Sequence, residues 1–218
     1  MKQLYRILLF ITVGTGLLCA CRPFNSRERM IIEKSDSLMY VTVMPQDSTI
    51  LRTPSRDFGR RELKSQEFKT LMAKMKHTVT HPSQDGVGIA APQVGINRRL
   101  IWVMRMDKAG APFECYANIR IDSLLGTRVT GPEGCLSLPP LRGLVPRNSS
   151  VAISYINPET GAKCSETVEG YTAIIFQHEI DHLEGILYTD RADTVYVNEA
   201  WAAEREAFTY NHPEWWNK

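Results

Sequence analysis

The sequence predicts an α+β fold, with antiparallel sheets packed around a central helix, and three observations carry that prediction. Val151-Ala152-Ile153-Ser154-Tyr155-Ile156 alternates as a strand does; Asn157-Pro158-Glu159-Thr160-Gly161 is a hairpin turn, and Lys163 to Val168 is its return strand. Arg99-Leu100-Ile101-Trp102-Val103-Met104 reads as a buried strand. After these strands comes one apolar helix, from about Gly170 to Glu184, which carries the H-E-x-x-H pattern at His178 to His182. Strands followed by a long helix, rather than alternating with helices, give α+β. At 218 residues and 43% apolar content, the chain is long enough for one domain with a substantial core.

The elements follow in order. Met1 to Arg6 is a short basic stretch, and Ile7 to Leu18 is almost continuously apolar. That run falls short of the ~20 residues a bilayer span needs but suits the core of a signal peptide. It ends at Leu18-Cys19-Ala20-Cys21, which resembles a bacterial lipobox, so residues 1–20 are expected to be a lipoprotein-type signal with a lipid anchor at Cys21. Used, the signal implies a membrane-anchored protein outside the cytoplasm; unused, a cytoplasmic one. Removing it takes Lys2 and Arg6 and no acids from 26 basic and 24 acidic residues, leaving a formally neutral chain. No basic stripe stands out along the sequence, which argues against nucleic acid as a partner.

Residues 21–40 read as a tether and entry segment, and Val41-Thr42-Val43-Met44 as a short strand. Arg60 to Thr80 has helical spacing, with Leu63, Phe68, Leu71, Met72 and Met75 on one face; His81-Pro82 ends it, because the residue before proline avoids helical geometry. Gly86 to Gly95 is a Gly- and Ala-rich loop, and Phe113 to Ile121 a strand region with a turn. Residues 41–190 are the expected main domain. Residues 191–218 form an aromatic-rich extension, with Trp201, Phe208, Trp215 and Trp216 on an expected C-terminal helix. Outside the signal the cysteines are Cys115, Cys135 and Cys164, an odd set; in an oxidising compartment Cys115 and Cys164 are candidates to pair.

The chemistry starts at Gln177-His178-Glu179-Ile180-Asp181-His182-Leu183-Glu184-Gly185. Residues four apart share a helix face, so His178 and His182 can present imidazoles to one metal ion, with Glu179 beside them as a general base. A catalytic site of this kind has three protein ligands and one open position. The metzincin extension fails, because its final histidine position holds Tyr188. A downstream acid, Glu199 or Glu204, would suit a thermolysin-like enzyme but has no supporting motif; His77, His81 and His212 are the other histidines. Upstream, Pro132-Glu133-Gly134-Cys135-Leu136-Ser137-Leu138-Pro139 offers a cysteine in a Pro-bracketed loop, and a thiolate is a strong ligand.

Three segments together resemble the peptide deformylase family: Gly86 to Gln93 (G-x-G-x-A-A-x-Q), Glu133 to Ser137 (E-G-C-L-S) and Gln177 to Gly185 (Q-H-E-x-D-H-L-x-G). The resemblance covers roughly residues 41–190. It implies metal-dependent removal of the formyl group from N-formylmethionyl peptides. It implies Cys135, His178 and His182 as ligands of one divalent ion: iron(II) as the family commonly has it, with zinc or nickel as alternatives. Water in the fourth position would be the nucleophile, Glu179 would move its proton, and the Gln93 amide and Leu136 N–H would steady the oxyanion. Gly88 matches a residue that binds the substrate main chain. Val87, Ile174 and Ile175 are expected pocket walls, Arg142 a peptide contact, and Arg147 either a partner of Asp181 or an electrostatic support of the site. A metallopeptidase and a non-catalytic exported lipoprotein that uses the fold for binding are the competing readings.

Overall fold

The computed structural model describes residues 24–34, 37–84 and 86–200. Four helices lie among them: α1 (Ser26–Lys34), α2 (Ser48–Leu51), α3 (Gln66–Thr80) and α4 (Gly170–Leu183). The strands are β1 (Gly88–Ala90), β2 (Leu100–Met104), β3 (Phe113–Gly134), β4 (Leu141–Ile156), β5 (Lys163–Glu169) and β6 (Thr194–Val197). They join in one antiparallel network ordered β1-β2-β3-β4-β5. The long β4 pairs with β3 along most of its length; its other edge takes β5 at residues 150–156 and β6 at residues 141–144. Register shifts in β3, between Ala117 and Arg120, Ile121 and Ser123, and Leu125 and Arg128, bend the sheet.

The curved sheet packs on α4, which is apolar nearly all round and buried accordingly. Ala173, Phe176, Ile180 and Leu183 meet Val103, Tyr116 and Ile153 in one core cluster. Burying Phe176 and Leu183 contributes about 1.5–3 kcal/mol each. Gly185 ends the helix at φ +73°, where a Cβ would lie 2.5 Å from the Arg52 carbonyl oxygen, so only glycine fits that turn. A second cluster packs α3 and α1 on the other side of β2, around Phe58, Phe68, Leu71, Met75 and Leu100.

The hairpin of β4 and β5, the helix over 170–183 and the strand over 100–104 lie where the sequence puts them. Other expectations need correction. The helix predicted from Arg60 begins at Gln66, because Glu62–Lys64 form a 3-10 turn and the Ser65 hydroxyl caps α3 by accepting from the Phe68 N–H at 3.2 Å. Val41 to Met44 is not a strand. Its N–H groups go to two different loops, Thr42 to the Gln93 carbonyl (2.8 Å) and Met44 to the Ser137 carbonyl (2.9 Å), so this segment ties those loops together. The segment read as a tether contains α1, and Glu28 and Ile32 are buried. β3 runs on to Gly134, well past Ile121. β6 makes the first part of the expected extension a sheet strand. Cys115 and Cys164 are both free thiols, on β3 and β5 with β4 between them. The signal, Cys21 and the tryptophans from Trp201 onward lie outside the described residues.

Candidate active site

The N-terminal half of α4 lies under the sheet and its C-terminal turns carry His178, Glu179 and His182. The two imidazoles lie one turn apart, with ring centroids 5.1 Å from each other. Cys135 sits in the tight turn between β3 and β4, where its carbonyl accepts the Leu138 N–H at 3.1 Å and its Sγ accepts the Ser137 N–H at 3.4 Å. That turn brings Sγ to 3.2 Å from His182 Nε2. The ligand atoms of Cys135, His178 and His182 all lie within 4.8 Å of one another, and among the described residues this is the group of three so arranged. Glu199 is not part of it, and His77 and His81 pair with each other at 5.7 Å.

The surroundings prepare these side chains to bind a cation. His178 Nδ1 lies 2.8 Å from Glu133 Oε2; with Nδ1–H donating there, Nε2 keeps its lone pair for a metal. Glu133 also accepts from Arg147 at 2.8 and 3.1 Å; Arg147 reaches Asp181 at 2.5 Å, and Asp181 accepts from Nε and Nη2 of Arg191, each at 2.7 Å. The Arg147–Asp181 pair is thus present, inside a longer buried chain. Burial opposes the charge on Glu133, but its bonds to His178 and Arg147 outweigh this and hold its carboxyl down at about 2. Burial first, with the charges of Arg147 and Arg52 adding to it, holds His182 well below the ordinary imidazole range, so it stays neutral.

Glu179 is buried, and its Oε2 has no hydrogen-bond partner among the described residues. Such an atom costs free energy unless something polar meets it. Burial pushes its carboxyl up to about 7, with Glu133 adding to the effect and His178 opposing it. Gly88 makes room for this side chain, since a Cβ there would lie 2.6 Å from Oε1. Gln93, 1% exposed, accepts the Ala90 N–H on Oε1 at 2.8 Å. A backbone N–H can only donate, so the amide is oriented with Nε2 toward Ser137 Oγ (3.3 Å) and Cys135 Sγ (3.5 Å).

A cavity of about 270 Å³ opens beside these groups. Cys135, His178, Glu179 and Gln93 reach it, as do Leu136, Gly88 and Arg142. Val87, Ile174 and Ile175 line it too. His182 lies below, 1% exposed. Sequence reasoning missed four participants. Glu133 had a signal, being a carboxylate two residues from the candidate cysteine. Tyr188 stacks on His178, ring centroids 5.9 Å apart and 20° between planes. Gln84 lines the cavity with its Oε1 buried and unpartnered, and Tyr171 stands at the mouth, 53% exposed.

The residues present fit one divalent ion. A thiolate and two imidazoles make a donor set that leaves a position open, and the orphaned Glu179 oxygen stands ready for a polar group there.

Comparison with known proteins agrees. The family model described as polypeptide deformylase matches residues 39–197. A peptide deformylase of Leptospira biflexa is 38% identical over 149 residues, 65% of this chain and 82% of that protein. A class I type b peptide deformylase of Acinetobacter baumannii, solved with Met-Ala-Ser bound, is similar at TM-score 0.63 and 34% identity, over 71% of this chain and 98% of that one. The same enzyme with actinonin bound gives 0.64 and 33%, over 72% and 99%. A match that spans most of the chain, and a relative covered over most of its length, leave one assignment: this chain belongs to the polypeptide deformylase family.

Proposed function

We propose that the protein hydrolyses the formyl group from N-formylmethionyl peptides, releasing formate and a free amino terminus, with Cys135, His178 and His182 holding one divalent metal. The observation that carries the reading is the unpartnered Oε2 of buried Glu179, beside that thiolate–imidazole cluster and at the wall of a peptide-sized cavity. When bound, the metal acidifies a water and polarises the formyl carbonyl.

The chain's own residues do the rest. Glu179 takes a proton from the attacking water and delivers it to the departing amide nitrogen; a carboxyl near 7 suits both directions at neutral pH. The Gln93 Nε2–H and the Leu136 N–H steady the negative oxygen that develops on the formyl carbon, a contribution of about 3 kcal/mol per donor. Gly88 offers its backbone to the substrate main chain, Val87, Ile174 and Ile175 enclose the methionine side chain, and Arg142 contacts the peptide further along. The bound Met-Ala-Ser in the Acinetobacter relative supports a peptide substrate here. A cysteine in the cluster, rather than Glu199, favours this reading over a metallopeptidase.

Finer points belong to the same proposal. The metal is iron(II) by family resemblance, with zinc the better suited ion where oxygen is abundant and nickel a third candidate. Residues 1–20 are a lipoprotein-type signal, Cys21 carries the lipid, and the enzyme works at a membrane outside the cytoplasm. Formate release from formyl-Met-Ala-Ser by anaerobically purified, metal-loaded protein tests the activity. Release is expected, with a fall of roughly 10²- to 10⁴-fold in Glu179→Ala. Peptide-bond cleavage with the formyl group retained would overturn the reading.

A further inference from the structure

The chain is clamped from its first described residue. Phe24 is 1% exposed, its ring 5.9 Å from that of Phe58, and the Arg98 guanidinium lies over both, 5.1 and 5.3 Å from their centroids. Arg98 is itself buried and donates to Glu28 at 2.7 and 3.0 Å and to Glu62 at 2.6 Å. Asn25 and Glu28 cap α1 reciprocally, at 2.8 and 2.9 Å, and Arg29 donates to the Phe24 carbonyl. Only Arg22 and Pro23 separate Phe24 from Cys21. Fully extended, that stretch spans about 10 Å, little more than the headgroup layer on one side of a bilayer, roughly 5–8 Å deep.

The surface around this exit is basic. Arg27 on α1, Arg56, Arg60, Arg61 and Lys64 are exposed. Phe58 and Glu62 both touch the Arg98 stack, so the basic side chains that flank them in sequence share its neighbourhood. The nearby acids are mostly taken up: Glu28 and Glu62 turn inward to Arg98, with Arg56 also reaching Glu28 at 3.4 Å, and Asp57 pairs with Arg120 at 2.9 Å. Glu33, near the far end of α1, is the exposed acid of that helix.

We propose that this basic face rests on an anionic phospholipid surface, so that the catalytic domain is seated on the membrane in one orientation instead of swinging from a tether. The inference rests on the proposed lipid at Cys21. The acyl group supplies the anchoring, and the short link holds the basic side chains within about a Debye length, ~8 Å at physiological salt, of the headgroups.

Full-length protein from a bacterium that processes lipoproteins is the material for the test, and the mass of its N-terminal peptide reports acylation. The acylated protein is placed in vesicles of phosphatidylcholine alone, or of phosphatidylcholine with phosphatidylglycerol, and amide exchange is followed. Exchange in residues 24–34 and 56–64 is expected to slow several-fold in the anionic vesicles only. Combined Arg27→Glu, Arg60→Glu and Arg61→Glu is expected to abolish the slowing while leaving formate release intact. Equal exchange in both vesicle types would overturn the docking face and leave the lipoprotein reading standing. An unacylated N-terminus would sink the lipoprotein reading instead. Co-sedimentation of that protein with anionic vesicles, lost on charge reversal, would then sustain the face, and its absence would overturn it.

Discussion

Glu133 holds two partners at once, His178 through Oε2 and Arg147 through both oxygens. It sets the imidazole's tautomer and neutralises a buried guanidinium, so changing it to glutamine keeps the shape and removes the charge. Glu133→Gln is expected to weaken metal affinity roughly 10- to 100-fold, the usual effect of losing such a support, as read by competition with a chromophoric chelator. Unchanged affinity would show that His178 needs no carboxylate behind it. The candidate site residues themselves differed in how far the sequence revealed them. His178, Glu179 and His182 follow from helix spacing alone, since four residues make one turn. Cys135 joins them through a turn 47 residues upstream of His182, a tertiary contact that spacing cannot express; the residues offered it as a candidate and the resemblance singled it out. The support from Glu133, 45 residues from His178, depends on the same long-range packing.

Helix α1 is held by one charged latch. Burial disfavours the Glu28 carboxylate, but its bonds from Arg98 and the Asn25 N–H outweigh that and keep its pKa below the ordinary 4.5. A depressed carboxylate pKa contributes stability that is complete above the unfolded value and lost as pH falls through the folded one. Protection factors of residues 26–34 are therefore expected to fall below pH 4.5 before those of α4 do, and Glu28→Gln is expected to lower them at neutral pH and flatten the dependence. Parallel behaviour of the two helices would contradict the latch. α1 escaped the sequence because its helix-starting Asn25 and Glu28 look like tether residues until Arg98, seventy positions beyond Glu28, engages the Glu28 carboxylate in the interior. α3, α4 and β5 were legible because each carries its own period and its own cap or turn. The far half of β3 has exposed residues from 122 to 130 and so lacked the apolar alternation that marks a strand.

On the scale of the whole molecule, the bent sheet brings together three segments distant in sequence. Residues 88–93 come from β1 and the turn after it, residues 133–137 from the end of β3 and the turn that follows it, and residues 178–182 from the helix they enclose. The extended segment at Thr42 and Met44 fastens the first two to each other. The α+β class was readable from strand and helix signals; the curvature was not, because it arises from register shifts that only pairing defines. Everything catalytic depends on this convergence around one cation. X-ray absorption on the anaerobic, full-length protein loaded with one divalent ion per chain examines it directly. The expected first shell contains one sulfur and two imidazole nitrogens, with the sulfur lost in Cys135→Ser; a shell of nitrogen and oxygen alone in the unmutated protein would contradict it.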